Sequence, residues 1–297
     1  MTSHTVSSSS PSLEELLRQA CLMEVSARKA GNVHPEASFA DTTFQDFVAS
    51  AELVAPILAQ AAAIGVGQAI LDAVRATRDA LGKNTNLGMI LLLAPLAAVP
   101  PTAKLTDGIG DVLRGLTVRD AELVYEAIRL ARPGGLGKVD RGDVHDAPQM
   151  TLLEAMTLAK DRDLIAAEYA TDFAFTTRQS AGILVRTSHL DWELQVIHLH
   201  LWMLSRQPDT LITRKCGEEV AEEAQGWAQH IFAEGWPETD GSIRLFQKFD
   251  RWLRAEGNQR NPGTTADLVA GTLFVVLRDR LTRFEDWPPA ADRGASV

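Results

Sequence analysis

Apolar residues recur at helical spacing along most of the chain. Behind Ser12, residues 13–27 carry Leu13, Leu16, Leu17, Ala20 and Val25, and Ser12 with Glu15 has the spacing of a capping box, in which two side chains satisfy the free amides of a helix start. Pro56 suits the first turn of a second helix, with Ile57, Ala61, Ile64, Leu71, Val74 and Leu81 as its stripe and Gly82 as its stop. Thr117 with Asp120 opens a third helix, which Pro133 and Gly134 end. Thr264 with Asp267 caps a fourth, and residues 268–277 behind it are apolar nearly all round, the pattern of a helix enclosed by protein. Residues 151–170, 191–205, 217–234 and 242–256 also fit helical periods. The short apolar runs 182–187 and 196–201 lack hairpin signals and sit inside longer helical patterns. The pattern predicts an all-α, single-domain helical bundle with a buried central C-terminal helix. Residues 1–12 form a disordered lead, 13–286 the domain and 287–297 a tail, with the main loops at 109–117 and 134–150.

Composition narrows the function classes. The 297 residues are 45% hydrophobic and 23% charged, close to the globular average, and the formal charge of −10 argues against a general nucleic-acid binder. A small anion can still be held in a local basic pocket. Cys21 and Cys216 are far apart, and no Cys or His pair has zinc spacing, so neither a disulfide framework nor structural zinc is expected. The serine-rich start has no signal-peptide pattern, and the longest apolar stretches, 89–101 and 268–277, are short of the roughly 20 residues that span a bilayer. The expectation is a soluble cytoplasmic protein with no membrane contact.

Four polar clusters lie where helices are expected to end. The first holds Arg28, Lys29, Asn32 and His34, with Asp41 and Asp46 shortly after. Arg28 and Lys29 also read as last-turn cations favoured by the helix dipole, with Gly31 as a C-cap. The second is Gly82-Lys83-Asn84-Thr85-Asn86-Leu87-Gly88, leading into an apolar run, so that the amides of residues 85–88 could form a helix start that meets a phosphate or carboxylate. Gln68, Arg75 and Arg78 extend the preceding stripe and need partners. The third runs from Asp209 through Arg214 and Lys215 to Gly217, and the fourth is Asn261-Pro262-Gly263-Thr264-Thr265-Ala266-Asp267. An ordinary helix cap is the competing reading of the last. His198 and His200, two residues apart, point to different helix faces and cannot share a metal.

In this order the clusters resemble the triphosphoribosyl-dephospho-coenzyme A synthase family, from about residue 20 to 277. Residues 24–33 resemble its Glu-x-x-x-x-Pro-Lys-Pro-Gly-Leu-Val signature, with Lys29 and Gly31 matching and alanines at 27 and 30 where prolines are usual. Asp41 matches the first Asp of a following Asp-Met-Asp, whose second corresponds to Thr43. Residues 84–88 resemble Asn-Thr-His-Lys-Gly, with Asn86 and Leu87 in place of His and Lys. Asp209, Thr210, Lys215 and Gly217 resemble an Asp-Thr-Asn segment, and residues 261–270 resemble Ser-Pro-Gly-Gly-Ser-Ala-Asp-Leu-Leu-Ala. The chain resembles a divergent branch of this family.

The resemblance implies transfer of the triphosphoribosyl part of ATP to the ribose 2′-hydroxyl of 3′-dephospho-CoA with release of adenine. Such glycosyl transfer needs a base for the hydroxyl, a proton donor for the leaving purine and negative charge near the ring. On this basis Asp41 is expected as base or stabiliser, with Lys29 and His34 beside it. Arg28, Lys29 and Lys215 are expected on phosphate, and Asn32, Arg78, Asn84, Thr85, Asn86, Asp209, Arg214, Thr264 and Asp267 on the substrate or nucleotide. Mg²⁺ is expected with the phosphate donor, near Asp41 and Asp267, and no tightly bound organic cofactor is needed. Several of Arg28, Lys29, Arg78, Arg214 and Lys215 should line a locally positive cavity. The alternatives are phosphoribosyl transfer from phosphoribosyl pyrophosphate to another alcohol acceptor in a pterin or one-carbon pathway, which suits the missing lysine, and a non-catalytic nucleotide-binding protein.

Overall fold

The computed structural model describes residues 10–133, 141–284, 286 and 287. Most of the expected lead and tail, and the glycine-rich start of the 134–150 loop, lie outside them. The described residues form fifteen α-helices, one π-helical segment and no strand.

Helix α1 (Leu13–Ser26) begins at the expected capping box: the Glu15 amide donates to Ser12 Oγ, and the Ser12 amide to the Glu15 carboxylate. It ends at Ala27, so Arg28 and Lys29 lie beyond its last turn and Gly31 is not its cap. Gly31 instead makes a left-handed turn (φ +72°) where a Cβ would meet Leu253 at 2.7 Å, a position only glycine fits. Helix α2 (Phe44–Leu58) starts from a Thr43–Asp46 capping box, which places Pro56 in its final turns and not at a helix start. The apolar stripe assigned to one helix is broken into α3 (Ala61–Ile64) and α4 (Val66–Leu81) by Gly65 at φ +92°. Gly82 stops α4 in the left-handed conformation, as its position predicts.

Helices α5 (Leu87–Ala98), α6 (Leu105–Arg114) and α7 (Val118–Ala131) follow. Helix α6 occupies much of the expected 109–117 loop, because Leu105, Ile109 and Leu113 form a buried stripe that its two glycines disguise. Gly108 is needed for packing there, since a Cβ would sit 2.5 Å from Val99. Residues 151–170 form two helices, α8 (Leu152–Ala159) and α9 (Leu164–Ala170), because Asp163 caps a new start. A π-helical segment, Phe175–Ser180, leads into α10 (Ala181–Arg186). Helices α11 (Trp192–Arg206), α12 (Thr210–Cys216), α13 (Glu218–Ala233), α14 (Asp240–Arg254) and α15 (Gly263–Arg278) complete the bundle.

Helix α15 is the central element, with α1, α5, α11 and the π-helical segment packed around it. Leu268, Val269, Leu273, Phe274, Val275 and Val276 are at most 1% exposed, and each such side chain contributes roughly 1.5–3 kcal/mol of burial. A smaller apolar cluster joins α11 to α14 and includes Ala30. The chain after α1 is thereby pinned to α14: the Gly31 amide donates to Asp250 Oδ1 at 2.8 Å, and Arg254 to the Asn32 carbonyl at 2.6 Å. Trp287, the first residue of the expected tail, packs edge-on against Trp192.

Candidate active site

The C-terminal ends of α1 and α4, helix α12 and the N-termini of α5, α9 and α15 meet around a cavity of about 1530 Å³. All four polar clusters contribute to its lining, through Asn32 and Asp41, through residues 84–88, through Arg214 and Lys215, and through Thr264 and Asp267.

One wall is dry. Glu24, at the apolar end of α1, is 3% exposed and lines the cavity, while Lys29 behind it is fully buried and outside the lining. Lys29 Nζ lies 3.0 Å from the Glu24 carboxylate and also donates to the carbonyls of Glu24 and Ala27, so its three donors are taken. Burial pushes the Glu24 carboxyl upward and the Lys29 charge draws it back only in part. Asn32 continues this wall, and its amide nitrogen is 3.1 Å from His200 Nε2.

Asp267 faces the cavity from the first turn of α15, beside Gly88 on α5. A Cβ on Gly88 would lie 1.9 Å from Asp267 Oδ2, so the glycine is what lets α5 approach the carboxylate. Burial first, and then the charges of Glu24, Asp209 and Asp163, push the Asp267 carboxyl well above the carboxylate range. Two desolvated carboxyl groups that disfavour each other's charge therefore share one cavity. Thr264 does not cap α15: the cap position is Pro262, and the helix start is held by Asp209, whose Oδ2 accepts from the Thr265 amide and hydroxyl at 2.7 Å. Asp209 Oδ1 meanwhile caps α12 through the amides of Leu211 and Ile212.

A wetter part of the lining carries half-buried cations. Arg214 donates to Asp163 Oδ2 at 2.6 Å, and Lys215 to Asn261 Oδ1 at 2.9 Å and the Asn258 carbonyl at 3.2 Å. Lys83 donates to the Asp41 carbonyl and to Asp46, and Arg78 forms no ion pair among the described residues. Asp41 is exposed at the rim, where its Oδ1 accepts from Thr42 and, at 3.4 Å, from Asn258. It does not cap α2, whose cap is Thr43.

Ten expected site residues thus line the cavity: Asn32, Asp41, Arg78, Asn84, Thr85, Asn86, Arg214, Lys215, Thr264 and Asp267. Four do not. Lys29 is sealed behind Glu24, and Asp209 is fully buried as the shared cap of two helices. Arg28 turns to α11, where it grips Glu193 through two 2.7 Å bonds. His34 is half-buried outside the lining, with Nδ1 accepting from the Glu36 amide. Arg75 pairs with Glu126 on α7, and Gln68 with Asp72. His198 stacks edge-on against Phe232 while His200 reaches Asn32, so the two rings do diverge.

The lining holds six cationic and seven acidic side chains, so the expected locally positive cavity is instead mixed, and Arg214 is paired with Asp163 within it. Sequence reasoning missed Glu24 and Asp163 as lining residues, and included Lys83 in the second cluster without giving it a role. A carboxylate between the apolar Met23 and Val25, at the start of the signature that residues 24–33 resemble, was the available signal for the first.

The family model for ATP:dephospho-CoA triphosphoribosyl transferase matches residues 10–286. A crystal structure from Archaeoglobus fulgidus assigned to triphosphoribosyl-dephospho-CoA synthase is 27% identical, with a TM-score of 0.63 over 78% of this chain and 98% of that one. No curated protein matches the chain. No described helix is long and apolar enough to cross a membrane. With the family model covering nearly the whole bundle, and the four polar clusters gathered around one cavity, the chain belongs to the ATP:dephospho-CoA triphosphoribosyl transferase family and is a transferase of that class.

Proposed function

We propose that the cavity binds ATP with its triphosphate toward Arg78, Lys83, Arg214 and Lys215 and its ribose against Glu24 and Asp267, with 3′-dephospho-CoA entering beside Asp41. The bond from the ribose anomeric carbon to the adenine nitrogen breaks as a bond to the acceptor 2′-hydroxyl oxygen forms. Asp267, favouring its neutral form, donates a proton to the departing adenine. Glu24 supplies negative charge to the oxocarbenium-like centre, with Lys29 fixing its orientation from behind. Asp41, exposed with its carboxylate open to the cavity, takes the hydroxyl proton. Asn84, Thr85 and the first amides of α5 lie where a phosphate or sugar hydroxyl would meet a helix start.

The observation that carries this reading is the pair of buried carboxyls, Glu24 and Asp267, facing the same cavity as four cations. Its volume favours two nucleotide-sized substrates over phosphoribosyl pyrophosphate with a small alcohol, since one drug-sized ligand needs about 300–1,000 Å³. Mg²⁺ is proposed to arrive on the donor, held mostly by phosphate oxygens and water. No three described His, Cys, Asp or Glu side chains are grouped to hold a metal. Neither Asp41, assigned to the hydroxyl, nor Asp267, favouring its neutral form, is assigned to the ion. No bound organic cofactor is required, because ATP supplies the transferred group. Both cysteines are free, in keeping with a cytoplasmic enzyme.

Mass spectrometry of products from ATP and dephospho-CoA should show free adenine and dephospho-CoA enlarged by a triphosphoribosyl group. Transfer from phosphoribosyl pyrophosphate alone, or none from either donor, overturns the reading. Asp41→Asn should abolish turnover while leaving ATP affinity unchanged, because a base acts mainly in the transition state. Turnover near the wild-type rate would remove Asp41 from the mechanism.

A further inference from the structure

Asn32 is 6% exposed and lines the cavity. Its Nδ2 faces two protein acceptors, His200 Nε2 at 3.1 Å and the Ala30 carbonyl at 3.3 Å. The Ala30 carbonyl can only accept, which fixes the amide orientation. His200 is fully buried on α11, and burial followed by the nearby Lys29 charge holds its pKa well below the ordinary histidine range. The ring is therefore neutral at physiological pH, and the Asn32 amide hydrogen facing Nε2 selects the tautomer with its lone pair there and its hydrogen on Nδ1, which has no partner among the described residues. Both hydrogens of the Asn32 amide are thus occupied, and among the described residues nothing donates to Oδ1. The wall beside it is formed by Val25 and Val33, 2% and 4% exposed, which offer apolar contact to a flat ring. The result is a fixed acceptor without a donor, set at the edge of an apolar surface.

We infer that Asn32 Oδ1 accepts a hydrogen bond from the exocyclic amine of an adenine ring in the cavity, and that His200 is the positioning residue that aims it. This rests on the reading of the cavity as a site for ATP and dephospho-CoA, each of which carries an adenine. An amide with both donors occupied cannot grip adenine through two bonds. It distinguishes only what stands at the six position: an amine donates, a carbonyl oxygen repels, and a bare carbon leaves Oδ1 unpaired in a desolvated place.

The test compares adenine, purine and hypoxanthine at the base of the donor triphosphate with natural dephospho-CoA, then makes the same changes in dephospho-CoA with natural ATP. In one arm the wild type should lose about tenfold in kcat/KM with purine and more with hypoxanthine, and that arm identifies the adenine concerned. Asn32→Leu should bring the three bases of that arm to similar values. His200→Phe should weaken the discrimination, and His200→Gln, whose Oε1 can accept in place of Nε2, should restore it. Equal kinetics for the three bases in both arms of the wild type overturns the inference whether or not any variant folds. Full discrimination in His200→Phe overturns the positioning role. If ATP gives no adenine at all, the proposed reaction fails, and calorimetric binding of the three triphosphates and the three dephospho-CoA forms to the wild type decides this inference separately.

Discussion

The two walls of the cavity use the same residue types to opposite ends. On the dry wall, Lys29 is fully buried, its ammonium enclosed by Glu24 and backbone carbonyls. On the wetter side, Lys215 is half-buried, tethered to Asn258 and Asn261 and still in the cavity lining. In the sequence both are basic residues beside a helix end and before a glycine. Burial separates them: a lysine sealed with one carboxylate is a structural ion pair that shapes that carboxylate, whereas one left at a cavity surface is available to an anion.

The largest expected effect tests the sealed lysine. Lys29→Met leaves the Glu24 carboxylate buried without its counter-ion, and breaking a buried pair from one side costs about 3–5 kcal/mol. Urea unfolding at neutral pH should show that loss, with a partial recovery at lower pH where Glu24 takes up a proton. A stability loss below about 1 kcal/mol, the range of exposed pairs, would mean that Lys29 is not sealed in solution.

Asp267→Asn follows, and separates chemistry from structure on the dry side. Asparagine resembles the protonated carboxyl that burial favours, so stability should hold or rise, while kcat falls by about 100-fold for want of an acid. The sign of the pH dependence is set by the raised pKa. An acid with an elevated pKa is active below it and is lost as pH rises through it, so the wild-type kcat should decline on the alkaline side. The same titration lowers wild-type stability as pH rises, because the folded state holds the proton more tightly than the unfolded state. A wild-type kcat flat from acid to alkaline pH would exclude Asp267 as the proton donor.

Lys215→Met probes the wetter wall. It removes a cation from a site with Arg214 and Lys83 still present, so the KM for ATP should rise about tenfold, the order of one charge-assisted contact. Stability should change by less than about 1 kcal/mol. An unchanged KM would shift the phosphate site toward Arg78 and Lys83.

The same contrast explains what was legible in the sequence. Helices α1 and α7 are legible because capping residues and apolar spacing are local, α15 is legible from its apolar run alone, its Thr264 cap being absent, and the gathering of four clusters follows from their common place at helix ends. Pro56 misled because a proline near the end of a helix looks the same in sequence as one at its start, and α6 was hidden by glycines that serve close packing. Motif spacing points Asp209 and Lys29 at substrate because it carries no measure of burial. That Asp209 holds the starts of two helices depends on α12 meeting α15 across some fifty residues, a contact no local pattern encodes. Glu24 was passed over for the converse reason, since an acidic residue in an apolar turn becomes a site only when a cavity opens beside it.

The smallest effect is expected at Arg28, and it sharpens the comparison because Arg28 adjoins Lys29 in sequence and shares neither environment. Its side chain is 54% exposed and turned from the cavity, with Nε and one terminal nitrogen each 2.7 Å from Glu193 and a looser approach to Glu36 at 3.7 Å. The Glu193 contact raises the guanidinium pKa further, which changes nothing at neutral pH, where arginine is charged in any case. An exposed pair of this kind contributes about 0–1 kcal/mol even with good geometry. Arg28→Ala should therefore move the unfolding midpoint slightly and leave the KM for ATP within about twofold, since no contact of order 1 kcal/mol with the donor is lost. If the KM instead rises as far as in Lys215→Met, the guanidinium must leave Glu193 and swing to the phosphates when substrate binds. The division between a structural wall and a binding wall would then hold only for the empty enzyme.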